Sequence, residues 1–185
     1  MNGTKYNIEK FFSQQLEAWD ELKLRYEALK DAGLRQLGSL QLQYNPARIV
    51  STGASIDRQT IAGRPCFLCK KNRSHEQLTI DLNDGFELMV NPFPVLPLHF
   101  TIVRKVPQTI LENYTEIHRF LGLFPELFVF YNGPFCGASA PDHMHFQAGA
   151  GHELPLMTAW KQAAHSGEVL IKQGNGSSLS MLKTE

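Results

Sequence analysis

His143-Met144-His145-Phe146-Gln147 is the stretch on which the reading of this 185-residue chain turns. On an extended backbone alternate side chains share a face. His143, His145 and Gln147 are therefore predicted to point one way and Met144 and Phe146 into a core. Three polar side chains in a row on a strand otherwise built for burial cost free energy unless something satisfies them. The preceding loop, Asn132 to Pro141, is rich in glycine. Its turns offer backbone N–H groups that suit a phosphate, and Asn132, Gly137 and Ser139 are the candidate substrate contacts there.

Residue type suggests the chemistry. A neutral imidazole attacks phosphorus and forms a phosphoramidate; His145 is the candidate nucleophile. A phosphate or sugar phosphate leaving group is a weak base and needs little protonation. Gln147 is no proton donor of useful acidity, but it can hydrogen-bond a non-bridging oxygen and stabilise developing charge. An isolated His-x-His is more often a core pair or a metal-binding pair. The glycine-serine loop before it and the glutamine after it turn the reading toward a phosphoryl site.

Working outward, Leu127 to Tyr131 reads as a buried strand, and Tyr114, Ile117, His118, Leu121 and Phe124 as the stripe of a helix ended by Pro125. His99 to Val103 is another strand. Before it, Asn91-Pro92-Phe93-Pro94-Val95-Leu96-Pro97 lacks the donors that a central strand needs. Leu78, Ile80 and Leu82 alternate, Asn83-Asp84-Gly85 turns the chain, and Phe86 to Val90 runs back, a hairpin signal. Thr60 to Arg73 is dominated by turn formers. Leu40, Leu42 and Tyr44 predict a short strand.

Ile8, Phe12, Leu16, Trp19, Leu22, Tyr26 and Leu29 predict one helix over 8–30, capped by Asn7 and stopped near Gly33. Leu154 to Ala164 predicts a last helix, with a polar, flexible end from Gln173. The order predicts an α+β fold with a mostly antiparallel sheet and flanking helices. It reads as one domain over 1–185, with an N-terminal helix in 1–35, a core in 36–150 and a C-terminal extension in 151–185.

Bulk properties narrow the partners. Lys plus Arg equals Asp plus Glu, at 18 each, so no general attraction to nucleic acid or an anionic membrane is expected. A locally basic pocket is compatible with that balance; Arg48, Arg64, Arg104 and Lys105 are candidate phosphate contacts or solvated charges. The start has no apolar signal segment and no run reaches membrane-spanning length, so a cytoplasmic protein is expected. Three cysteines, Cys66, Cys69 and Cys136, argue against a disulfide framework. Cys136 is read as a loop residue.

The run Tyr131-Asn132-Gly133 through Gly137-Ala138-Ser139-Ala140-Pro141-Asp142-His143-Met144-His145-Phe146-Gln147-Ala148 resembles the histidine-triad superfamily. The likeness is to its glutamine-type transferase branch, which includes galactose-1-phosphate uridylyltransferase, diadenosine tetraphosphate phosphorylase and GDP-L-galactose phosphorylase. Val90 to Pro94 with His99 to Val103 resembles the loop and strand flanking the nucleotide there, and Pro65-Cys66-Phe67-Leu68-Cys69 the cysteine pair of uridylyltransferases. The resemblance covers about residues 44–150, and its His-x-His-x-Gln motif is the specific part. It implies a histidine-triad-like fold and a nucleotidyltransferase or phosphorylase acting on a nucleoside diphosphate sugar or dinucleotide, with phosphate or a sugar phosphate as acceptor. It implies that His145 carries the nucleotidyl group, that Gln147 and Ser139 hold phosphoryl oxygens, and that Asn91 lies near the ribose. His143 would orient the strand or bind a structural metal. A homodimer is compatible with that branch.

Cys66-x-x-Cys69 fits half of a tetrahedral zinc site. In zinc-bearing relatives the set is this pair, a histidine after the central strand and the first histidine of the motif, here His143. The position near residues 104–107 holds no histidine. The bland reading is that the two cysteines are small packing residues. Between Ser139 and His143 stand three residues, one more than in the relatives, and the chain is short for the branch. These departures motivate an alternative, a non-catalytic nucleotide-binding or regulatory protein. A nucleotide hydrolase of the same superfamily is the third reading.

Overall fold

The computed structural model describes residues 6–38, 40–48, 55, 57–106, 116–133, 136, 138–150, 154–166, 169–174 and 177–182. It has an α+β fold. The chain divides into two compact units, Met1–Ala150 and Gly151–Glu185.

The first unit opens with α1 (Ile8–Ala18) and α2 (Asp20–Lys30), where the stripe predicted one helix. Trp19 between them is extended, at φ −142° and ψ 95°. A single non-helical residue is invisible to periodicity because Leu22, Tyr26 and Leu29 stay buried beyond it. Asn7 caps α1 as expected, accepting from the Lys10 N–H. Helix α2 ends at Lys30, and Gly33 instead begins β1 (Gly33–Leu37), which pairs with the expected strand, β2 (Leu40–Tyr44). The turn-rich block contains a short helix, α3 (Arg58–Gly63), and a 3-10 turn at Lys70–Asn72.

The centre is a five-stranded antiparallel sheet of β3 (Ile80–Asp81), β4 (Phe86–Val90), β5 (His99–Arg104), β6 (Leu127–Phe130) and β7 (His145–Ala150), ordered β3-β4-β5-β7-β6. Asn83, Asp84 and Gly85 all take positive φ in the β3–β4 turn, a conformation that these three residue types tolerate. Helix α4 (Glu116–Leu123) precedes β6 and turns Phe120 inward, while Leu121 is 38 % exposed. The expected stripe was thus one residue out of phase at Leu121; Tyr114 lies outside the described residues.

Alternation gives the sheet two different faces. Phe86, Leu88, Val90, Phe100, Ile102, Met144, Phe146 and Ala148 join Ile8, Phe11, Trp19, Leu22, Tyr26, Phe120 and Phe124 in one apolar core. Each fully buried phenylalanine contributes about 1.5–3 kcal/mol by leaving water. The register places Met89 beside Thr101, Thr101 beside Gln147, and Val103 beside His145 on the opposite face. Thr101, His145 and Gln147 stand on that second face.

In the second unit α5 (Pro155–Ser166) is followed by an antiparallel hairpin, β8 (Val169–Gly174) and β9 (Ser177–Leu182). A polar, flexible end had been expected from Gln173; alternation in Ser177-Ser178-Leu179-Ser180-Met181-Leu182 was the signal passed over. Among the described residues no helix is long and apolar enough to cross a membrane.

Candidate active site

A cleft of about 410 Å³ opens on the second face of the sheet. It gathers four residues singled out from the sequence: Asn91, Ser139, His145 and Gln147. Arg48 and Arg64, two of the proposed phosphate contacts, also line it, together with Arg25 and Arg73. No carboxylate is among the described residues that line it. Trp19, Phe67, Leu68, Met89, Pro92 and Phe93 supply apolar and aromatic walls. The cleft wall is therefore rich in guanidinium groups, with the carboxylates that pair with Arg25, Arg64 and Arg73 set outside it, and partly apolar, a setting for an anion attached to a flat or apolar body.

His145 begins β7 and is 8 % exposed. Its Nδ1 lies 2.8 Å from the His143 carbonyl oxygen. A carbonyl only accepts, so the proton sits on Nδ1 and the lone pair on Nε2. Burial, the largest influence, pushes its pKa below the ordinary value, outweighing that hydrogen bond. The ring is thus neutral near pH 7, with a nucleophilic nitrogen.

Two residues on, Gln147 lines the same cleft, and its Oε1 lies 2.8 Å from His99 Nε2. Asn91 begins the proline-rich loop. Its Nδ2 donates to Thr101 Oγ1 and its Oδ1 accepts from the Phe93 N–H, so it shapes the loop as well as lining the cleft. The Ser139 carbonyl accepts from Arg64 Nη2 at 2.6 Å. Arg64 also stands 3.7 Å from Asp142 and over the Phe67 ring. Its Nε is buried with no hydrogen-bond partner among the described residues, a donor in want of an acceptor.

Arg25 stacks over Phe93 at 4.4 Å and donates to the Pro92 carbonyl. Arg73 is held by Glu87 at 2.8 Å and by the Leu68 carbonyl. Burial lowers the pKa of Arg48. Arg104 stacks over Phe86, and Lys105 pairs with Asp81; neither lines the cleft. Arg25 and Arg73 were missed because they belong to no motif, although Arg73 follows the cysteine pair closely. Asn132 is not among the lining residues, and Gly137 lies outside the described residues.

His143 corrects the strand reading. It precedes β7 and does not line the cleft. Its Nδ1 faces Cys66 Sγ at 3.2 Å and Cys69 Sγ at 3.6 Å. The turn at Ala140, whose carbonyl accepts the His143 N–H, brings it off the strand. The candidate ligand atoms of Cys66, Cys69 and His143 lie within 4.8 Å of one another and could hold a metal ion. His143 Nε2 lies 2.6 Å from the Arg104 carbonyl and must donate there. That leaves the Nδ1 lone pair toward the sulfurs, as a ligating histidine requires. Burial pushes the Cys66 thiol up, but the hydrogen bond and charge of His143 bring it below its ordinary value overall. His143 is raised in turn: burial acts against its charge, and the Cys66 and Arg104 contacts outweigh it. Cys69 is raised, by burial first and then by Cys66. Cys136 is exposed and free.

The comparisons with known proteins fit this first unit. No curated protein and no solved structure matches the chain. One family, described as Domain of unknown function (DUF4922), matches residues 11–150, which takes in most of α1, helices α2 to α4, the five-stranded sheet and the described residues that line the cleft. The chain therefore belongs to the DUF4922 family.

Proposed function

We propose that the cleft transfers a nucleotidyl group, as a nucleotidyltransferase or phosphorylase acting on a nucleoside diphosphate sugar or a dinucleotide. The observation that carries this is the His145 ring, whose Nδ1 proton is committed to the His143 carbonyl so that Nε2 keeps its lone pair, in a cleft lined by arginines. The antiparallel sheet and the motif-bearing strand at its interior support a place in the histidine-triad superfamily.

In the first step His145 Nε2 attacks the α-phosphorus. The N–P bond forms, the P–O bond to the leaving phosphate or sugar phosphate breaks, and the leaving group departs as the anion. The positive charge on the imidazole is eased by its Nδ1–H···O=C bond. Gln147 and the arginines stabilise the charge that develops on the phosphoryl oxygens. In the second step an oxygen of phosphate or a sugar phosphate attacks phosphorus, and the N–P bond breaks to restore His145. The aromatic walls suit the base.

Cys66, Cys69 and His143 would supply three of the four ligands of a structural zinc, two thiolates and one imidazole. A metal bound there would cross-link the loop that supplies Phe67, Leu68 and Arg73 to the segment that supplies His145. Two free thiols this close together persist most readily in a reducing compartment, which supports a cytoplasmic location.

The test is incubation with α-labelled nucleoside diphosphate sugars and dinucleotides, followed by a search for acid-labile, base-stable label on His145. Label absent across the panel, with nucleotides binding equally to wild type and His145→Ala, would favour the binding-module reading. Turnover with water alone at full rate would favour a hydrolase.

A further inference from the structure

His99 of β5 is fully buried and does not itself line the cleft. Its two ring nitrogens have opposite, fixed roles. The Val95 backbone N–H donates to Nδ1 at 3.3 Å. A nitrogen that accepts carries no proton, so in the neutral ring the proton is on Nε2. Nε2 lies 2.8 Å from Gln147 Oε1 and donates to it. The oxygen and nitrogen of an amide are similar in shape, and only the partner decides which way the group faces. Here the donor is His99, so Oε1 is turned to β5 and the amide N–H groups remain for the cleft.

We propose that His99 is a positioning residue that aims the Gln147 amide N–H groups into the cleft, so that the site offers a donor to an anionic oxygen. Its purpose rests on the transfer reading above; its geometry does not. Without that bond the amide populates both orientations, and a carbonyl facing a phosphoryl oxygen repels it. The inference extends to the proline-rich loop. Val95 belongs to the same loop as Asn91, Pro92 and Phe93, which line the cleft. Tyr26 pins this loop, its one hydroxyl proton shared between the Asn91 and His99 carbonyls at 3.1 and 2.9 Å. The loop also lies against β7 at Gly149, where an added Cβ would stand 2.4 Å from Leu96 Cδ1. One chain of donors thus runs from the loop backbone through the His99 ring to the group that meets the ligand.

Two measurements test this. Long-range proton–nitrogen NMR of the full chain, labelled at histidine and glutamine, reads the His99 tautomer with no ligand present. Protonation on Nε2 alone is expected; protonation on Nδ1 would overturn the proposal. Calorimetry with inorganic pyrophosphate as the probe then compares wild type, His99→Phe, Gln147→Leu, the double variant and His99→Gln. His99→Phe and Gln147→Leu should each weaken binding by about tenfold. The double variant should lose no more than either alone. His99→Gln, which restores an N–H donor, should return to within about threefold of wild type. Losses that multiply in the double variant, or no rescue by His99→Gln, would overturn it. Should His99→Phe fail to fold, the tautomer and the His99→Gln titration still decide. A protein with the expected tautomer that never labels at His145 would sink the transfer reading alone.

Discussion

The carbonyl of His143 holds the Nδ1 proton of His145 at 2.8 Å, while the ring of His143 stands 3.2 Å from the Cys66 sulfur. One residue thus faces the cysteine pair with its side chain and the proposed nucleophile with its backbone. The two roles separate on substitution. His143→Ala removes the ligand and keeps the carbonyl. It should abolish zinc binding yet lower His145 labelling by only about ten- to a hundredfold, whereas His145→Ala should abolish labelling. Wild-type protein should carry about one equivalent of zinc, and chelation should lower Tm by about 5 °C or more. Metal analysis with thermal unfolding checks this, and less than about half an equivalent would count against the site.

Arg73 and Glu87 form a buried ion pair at 2.8 Å, with side chains 6 % and 7 % exposed. Glu87→Gln leaves the guanidinium without its counter-charge and should cost about 3–5 kcal/mol in urea unfolding. Replacing both by apolar residues of similar volume should cost much less. The Leu68 carbonyl depends on the same guanidinium, so Glu87→Gln should also loosen metal binding.

Acid should destabilise the fold through His99. Its pKa is lowered to about 4, by burial first and by the nearby Arg48 charge, against the opposing hydrogen bond to Gln147. The unfolded chain takes up that proton near the ordinary 6.5. Between those values the unfolded state binds more protons, so stability rises with pH. The His99 contribution should be flat above about pH 6.5 and fall by about 3 kcal/mol on going down through about pH 4. Urea unfolding of wild type and His99→Gln across that range should show a steeper slope in wild type, the remaining slope belonging to groups such as His145 whose pKa burial also lowers.

Gln15 is fully buried in α1. Its Nε2 donates to the Glu76 carbonyl, and its Oε1 accepts from the Leu78 N–H and from Gln77 Nε2. Gln15→Leu keeps the bulk and orphans those partners. A loss of about 2–5 kcal/mol is expected, measured as a lower urea midpoint with little change in slope.

The sequence made part of the site legible because a strand has a short period. His145 and Gln147 share a face, and Met144 and Phe146 share the other, with no tertiary information needed. Asn91 and Ser139 could be placed by the loops that carry them. The rest depended on register and turns. His143 was read onto the strand, but a turn after Ala140 takes it off before pairing begins. His99 sits 48 positions from Gln147, and only strand pairing brings them together. Arg25 reaches the cleft from a helix whose other face was the readable one. Trp19 fitted the apolar stripe so well that the break at its own backbone went unseen.

That break also sets where the indole of Trp19 ends up, at the wall of the cleft. The chain has only two tryptophans, and the other, Trp160, belongs to the second unit. A Trp160→Phe chain would therefore carry a single tryptophan, seated at the wall of the cleft. Its emission senses the water and charge around it, so the interruption between two helices gives the cleft an optical reporter of its own occupancy.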